Sequence, residues 1–282
     1  MKANKFKNID PLTVKGFGDE WARFDQSGLK AEDKYKIFEA YFSIFPWNLI
    51  KADSVGFDLG CGSGRWASIV APRVGFLHCI DPSDAIEVAR RNLSENKNCF
   101  FHRVGVDDIP FKNKQMDFGY SLGVLHHIPD TMDALKVCVK KLKPGAPFLL
   151  YLYYAFDNRP PWFIFLWRVS DIFRRFISLM PYSLRYLASQ ILASFIYFPF
   201  ARTAKYLEKI GFDVTSFPLS FYRDRGFYVM KTDALDRFGT RLEQRFTKLQ
   251  IAEMMKKSGL ENIKFNNGPP YWCAIGFAKD NP

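Results

Sequence analysis

The sequence predicts an α/β chain: a mostly parallel sheet of seven strands with helices on both faces, interrupted by a helical insertion after the fifth strand. Three observations carry this. Between residues 51 and 154 short apolar runs alternate with helical stretches, the pattern of parallel strands joined by crossovers. Residues 155–246 break that rhythm with a run of aromatic, aliphatic and arginine residues. The alternation resumes over 247–282 as one helix and two strands.

Residues 1–50 read as helices that precede the core. In KAEDKYKIFEAYFSIFPW, Tyr35, Phe38, Phe42 and Phe45 recur at three- and four-residue steps, and Pro46 ends the helix. The core strands are VGFDL (55–59), FLHCI (76–80), FFHRV (100–104), DFGYSL (117–122) and PFLLYLYY (147–154). Helices fill the gaps at SGRWASIVAP, PSDAIEVARRNLSEN and TMDALKVCVKKL. Ser83 opens the second of these, and Asp130 with Thr131 the third, as capping oxygens. LKPGAP supplies the turn into the fifth strand. TKLQIAEMMKKSGL (247–260) is amphipathic with Gly259 at its C-terminal cap, and NIKF and YWCAIGFA are the last strands.

Composition excludes several classes. With 48% apolar and 24% charged residues, the 282-residue chain can build a full core, so disorder and coiled coil do not describe it. Its five cysteines contain no C-x-x-C pair, which excludes a zinc ribbon and a disulfide framework and points to a reducing cytoplasm. The N-terminus is basic without an apolar h-region, so no secretory signal is expected. The net charge of +11 favours an anionic partner without saying which. In the insertion the longest uncharged stretch, Tyr186 to Ala201, has 16 residues, short of the ~20 a spanning helix needs. The insertion reads either as a helical cap on the core or as an interfacial membrane surface or lipid-like substrate pocket.

The most informative segment is V55-G-F-D-L-G-C-G-S-G-R-W: a strand, then Gly60-x-Gly62-x-Gly64, then a helix. Glycines there allow positive φ and close ligand approach, and the helix that follows would turn its first amides toward the ligand. Arg65 and Trp66 stand where a dinucleotide fold would place its third glycine, and no Gly-Lys-Ser/Thr is present, so neither dinucleotide nor P-loop chemistry is indicated. Asp58, two residues before Gly60, suits an ammonium group better than a pyrophosphate. Asp81 closes the second strand, 23 residues after Asp58, where an acid can accept ribose hydroxyls; Pro82 and Ser83 follow where an adenine face could lie.

These motifs resemble the class I S-adenosylmethionine-dependent methyltransferases. F-D-L-G-C-G-S-G resembles their glycine-rich signature and H-C-I-D-P-S their second strand. D-F-G-Y-S-L-G-V-L-H-H-I-P-D resembles the fourth strand and loop of the ubiquinone and menaquinone biosynthesis subgroup, and L-K-P-G-A-P-F-L-L the turn into the fifth. The resemblance implies a Rossmann-like fold with S-adenosyl-L-methionine as cofactor. Asp58 and the loop of Gly60, Cys61, Gly62 and Gly64 would hold its methionine end, with Ser121 and Leu122 lining that side. Asp81 would hold the ribose and Pro82 the adenine face. Relatives place an acid at the position of Gly105 for the adenine amino group; here the Val106 amide and the Asp107 carboxylate would serve. Relatives also carry a lid before the sheet, so Trp21 would cover the cofactor.

For the acceptor's proton the candidates are His126, Tyr222 and Asp224, the last two in FYRDRGFYVMKTDALDRFGT. Some quinone O-methyltransferases carry metal-binding Glu at the positions of Gly123 and His126; lacking it, this chain is expected to hold no metal. GPPYW (268–272) is not at the place where amino methyltransferases of nucleic acids keep a similar motif, so nucleic acid is not the expected substrate. The expected activity is O-methylation of a small-molecule, glycan or lipid-linked acceptor, by a cytoplasmic protein with peripheral contact to an anionic membrane. The alternatives are non-methylating use of the same cofactor, by a cyclase or lyase, and a non-catalytic cofactor-binding protein.

Overall fold

The computed structural model describes residues 8–25 and 28–280. The first seven residues of the expected lid lie outside them. The seven strands are β1 (Val55–Leu59), β2 (Phe76–Ile80), β3 (Cys99–His102), β4 (Phe118–Leu122), β5 (Pro147–Tyr151), β6 (Leu260–Phe265) and β7 (Ala274–Ala278). They form one sheet in the order β3-β2-β1-β4-β5-β7-β6. All neighbours are parallel except those of β7, which runs antiparallel to β5 and β6. The predicted mostly parallel sheet is therefore present, with a mixed edge.

Among the described residues ten α-helices accompany it: α1 (Pro11–Arg23), α2 (Ala31–Phe42), α3 (Ala67–Val70), α4 (Ala85–Asn92), α5 (Thr131–Lys141), α6 (Pro161–Ser178), α7 (Tyr182–Leu192), α8 (Phe198–Lys209), α9 (Phe227–Gly239) and α10 (Lys248–Lys257). Local sequence explains their ends. Asp10 caps α1 by accepting the Thr13 amide at 2.7 Å, and Pro11 begins the helix. Asp130 caps α5 through the Asp133 amide. Thr247 and Gln250 form a reciprocal capping box on α10, which Gly259 follows at φ +94°. The helix expected over SGRWASIVAP is shorter than the sequence suggests. Only Ala67–Val70 is α-helical, because the glycine loop occupies its first turn and Pro72 tightens its end into a 3-10 turn. Likewise α2 stops at Phe42; Phe38, Phe42 and Phe45 are buried, but Tyr35 is exposed.

The chain divides into two compact units. The first comprises Met1–Asp25, Lys36–Ala155 and Leu242–Pro282 and contains the whole sheet. Two cores cover its faces. One is built on Phe38, Phe42, Leu77, Tyr120 and Leu149, the other on Phe57, Leu135, Phe148, Leu150 and Ile251. Burial on both faces is why the strands read as continuous apolar runs. The second unit comprises Gln26–Tyr35 and Phe156–Arg241. Its small core is Ala193, Tyr197, Ala201, Met230, Ala234 and Phe238, from the π-turn Ala193–Tyr197, α8 and α9.

Candidate functional site

The chain leaves β1 toward β2 on one side, and later fills β4 on the other. The carboxyl ends of β1, β2 and β4 thus meet where strand order reverses, the place open α/β sheets keep for ligands. All three glycines of the β1 loop have positive φ: +77° at Gly60, +53° at Gly62 and +78° at Gly64. A Cβ on Gly60 would stand 2.3 Å from Val124, and one on Gly64 2.7 Å from Leu93, so both conformation and space require glycine.

Four of the loop's amides are spent inside the protein. Gly60 and Cys61 both give their amides to the Ile80 carbonyl, Gly64 to that of Cys61, and Gly62 to Asp81 Oδ2 at 3.1 Å. The expected display of amides from the helix after the loop is thus reduced to a four-residue turn. A row of free amides, which a phosphate would need, is not what these four positions offer.

An acid takes that place. Asp58 is 2% exposed, and its Oδ2 has no hydrogen-bond partner. Burial pushes its carboxyl up to about 8; the adjacent Tyr120 hydroxyl and Arg65 pull it down and the charge of Asp81 adds to the rise. A buried acid with an unused oxygen is complementary to a cationic donor, and an ammonium group would satisfy it. Tyr120 faces Asp58 across the β1–β4 register. Sequence reading missed it, since nothing local tells which residue of β4 lies beside Asp58.

Asp81 sits at the tip of β2, buried. Its Oδ1 accepts from the Ser83 amide at 2.9 Å and hydroxyl at 2.6 Å, and its Oδ2 from Gly62. The carboxylate therefore ties the start of α4 to the glycine loop. A carboxylate has about four acceptor sites, so capacity remains for a ribose hydroxyl. Burial raises its pKa, and the bonds from Ser83 and Gly62 oppose that rise. Pro82, half-buried, lies between the two.

Of the N-terminal helices, α1 brings one side chain to this loop. Trp21, on α1, lies against Gly62, where a Cβ would come 3.1 Å from the indole. Helix α1 packs on α4, and Phe17 meets the His127 ring at 4.9 Å. Asn92 fastens the arrangement, donating at 2.9 Å to the carbonyls of Ser63 and Asp25. Its part was not readable from the sequence, because its two acceptors are distant in the chain.

The remaining predicted residues fall as follows. Ser121 is buried and donates to the Leu59 carbonyl at 3.0 Å, with half-buried Leu122 beside it. Cys61 is buried, and burial raises its thiol to about 11, so it is uncharged. Val106 is buried in a 3-10 turn; Asp107 beside it is exposed and accepts the Asn8 amide at 2.6 Å. His126 is fully buried, stacked on Tyr153 at 3.9 Å, with Nδ1 3.4 Å from the Tyr153 amide. Burial, with His127 and Arg245 nearby, holds it well below the ordinary histidine range. His127 Nδ1 meets the Leu242 carbonyl at 2.6 Å. Tyr222 and Asp224 belong to the second unit. There Asp233 and burial raise the Tyr222 phenol, and Asp224 pairs with Lys205 at 3.1 Å on the surface.

Comparison with known proteins bears on the family and the fold. Residues 57–150 match the family model described as a methyltransferase domain. The ubiquinone biosynthesis O-methyltransferase of Acinetobacter baylyi is 25% identical over 166 residues, 55% of this chain and 65% of that protein. The tRNA (carboxymethyluridine(34)-5-O)-methyltransferase of Saccharomyces cerevisiae is 29% identical over 101 residues, 35% of each chain. The chain thus spans less than two-thirds of the length of these curated relatives. Among solved structures, the CurJ carbon methyltransferase superposes with a TM-score of 0.53 at 11% identity, covering 96% of this chain and 61% of that one. An S-adenosylmethionine-dependent methyltransferase of Thermotoga maritima gives 0.50 at 14% identity, covering 93% and 99%. These two likenesses speak for the fold.

Proposed function

As a member of the class I S-adenosylmethionine-dependent methyltransferases, this chain, we propose, transfers a methyl group to a hydroxyl oxygen of a small-molecule, glycan or lipid-linked acceptor. The observation that carries the reading is the pair of acids at the strand ends. Asp58 keeps an unused buried oxygen beside a loop four of whose amides are already spent, and Asp81 closes β2 beside it. The residues fit S-adenosylmethionine: Asp58 for the ammonium group, Asp81 for the ribose hydroxyls, Pro82 and Val106 for the adenine. When bound, that cofactor supplies an electrophilic sulfonium methyl group.

The chain's own residues supply position and enclosure. Methyl transfer is an in-line displacement, and holding the reactants at near-attack distance is its main catalytic need. Gly60, Gly62 and Gly64 give the backbone close approach, and Trp21 shields the loop from water. A hydroxyl acceptor also needs a base. We assign that role to His126, which burial keeps neutral at physiological pH. The reading includes a peripheral contact with an anionic membrane, where a lipid-linked acceptor would be met. Among the described residues no helix is long and apolar enough to cross a membrane.

Titration calorimetry with S-adenosylhomocysteine tests the cofactor half. Binding that is weakened in Asp58→Asn and lost in Asp81→Ala supports it; no binding by the wild-type chain refutes it. Incubation with S-adenosylmethionine and candidate acceptors then separates chemistries. Formation of S-adenosylhomocysteine with a methylated oxygen supports methyl transfer, whereas methylthioadenosine without an acceptor would assign the cyclase or lyase reading instead.

A further inference from the structure

The second unit contains a helix that is inside out. Along α6 the apolar residues Trp162, Phe165, Val169, Ile172, Phe176 and, just past its end, Leu179 recur at three- and four-residue steps, the pattern of a single face, with Phe173 beside it. That face is exposed: Phe165 is 69%, Phe173 62% and Phe176 66% accessible. The polar residues point inward instead. Asp171 and Arg174 are 8% and 5% exposed and bond to each other at 2.5 Å, and Arg174 also donates to the Thr240 carbonyl at 3.0 Å. Helix α7 repeats the inversion, with Leu184, Leu187 and Ile191 exposed and Ser189 fully buried.

A helix facing water does the reverse, because an apolar stripe gains by burial and a buried charge costs unless paired. Here the protein has paired the charges inside and left the stripe out. A surface this apolar and continuous marks an interaction site. Its charge selects the occupant. Arg168 and Arg175 are exposed, stand seven residues apart, and so flank one edge of the stripe, roughly two turns from each other; Arg175 also donates through Nε to Asp171 Oδ2 at 2.9 Å, so Asp171 is shared by two arginines. Residues 156–241 hold thirteen Lys and Arg against seven Asp and Glu. A second copy of the chain would bring like charges to that edge, whereas an anionic lipid surface complements them. Helix α6 contains four charged residues and so cannot span a bilayer, but it meets the description of a helix lying in the interface plane.

We propose that the outer faces of α6 and α7 dock this chain on an anionic lipid bilayer, with the phenylalanines entering the acyl boundary and Arg168 and Arg175 meeting the headgroups. The assignment deepens the proposed membrane contact and rests on it; it does not require methyl transfer.

Flotation of the full chain with vesicles of phosphatidylcholine plus phosphatidylserine, and of phosphatidylcholine alone, tests it. The wild-type chain should float with the anionic vesicles and be released by salt. F165E/F173E should lower partitioning by about tenfold or more, since each phenylalanine forfeits its burial. R168Q/R175Q should lower it about fivefold per arginine, the equivalent of about 1 kcal/mol each. Unchanged S-adenosylhomocysteine binding in both variants shows that they are folded, and should the glutamates prevent folding, the arginine pair alone decides. Undiminished flotation of both variants would overturn the assigned face while leaving the membrane contact standing. No flotation of the wild-type chain would overturn both. A dimer in sedimentation that F165E/F173E splits, without flotation, would give the face to a second copy and overturn the proposal as well.

Discussion

Replacing Asp58 by Asn should make the ligand-free protein more stable as the pH rises, and less able to bind cofactor. Burial lifts the Asp58 carboxyl from 3.8 to about 8 in the fold. In the unfolded chain it ionises above 3.8, so unfolding releases a proton throughout the interval between the two values. The folded-state pKa is the higher one. The group's contribution is therefore complete below about pH 4, declines as the pH rises, and levels off above about 8. At about 1.4 kcal/mol for each pH unit, the penalty amounts to at most ~4 kcal/mol at pH 7. Asparagine keeps the shape and cannot ionise. Urea unfolding of both chains across this range, without cofactor, should show the difference in stability moving toward Asp58→Asn with every step up in pH. Groups shared by the two chains largely cancel, although Asp81, whose charge lies close by, adds to the same trend. Calorimetry gives the second half. Pairing with an ammonium group deprotonates Asp58, so the wild-type chain should release up to one proton on binding S-adenosylhomocysteine at neutral pH. Asp58→Asn should release none from this site and bind roughly 10- to 100-fold more weakly, the usual worth of a hydrogen bond to a charged group. A stability difference that is flat with pH, or that moves in favour of the wild-type chain, would refute the account of Asp58 as a buried acid waiting for a cation.

Three further outcomes are expected. Gly60→Ala places a Cβ 2.3 Å from Val124 on a residue at φ +77°, so thermal melting should show a loss of ~2 kcal/mol or more. Asp81→Ala leaves the Gly62 and Ser83 donors without their acceptor, which should cost ~2–4 kcal/mol in urea unfolding and remove S-adenosylhomocysteine binding. Trp21→Ala removes the ring from above Gly62; affinity for the same ligand should fall roughly fivefold to tenfold by calorimetry, with a smaller effect on melting than Gly60→Ala.

What the sequence determined is what neighbours in the chain decide. Strand runs such as VGFDL and FLHCI show themselves by continuous apolarity, because strands covered on both faces need nothing else. The three glycines announce their own turn, since their left-handed backbone is a local property. Asp58 and Asp81 follow from standing at the ends of those strands. The tertiary structure decided what depends on partners far along the chain. Register put Tyr120 beside Asp58, and folding of the loop gave the amides of Gly60, Cys61 and Gly62 to Ile80 and Asp81, which is the basis for proposing a cation site there. In α6 the three- and four-residue spacing shows that a stripe exists, but periodicity is symmetric about the helix axis. Only the buried Asp171–Arg174 pair and its bond to Thr240 reveal that the stripe faces outward.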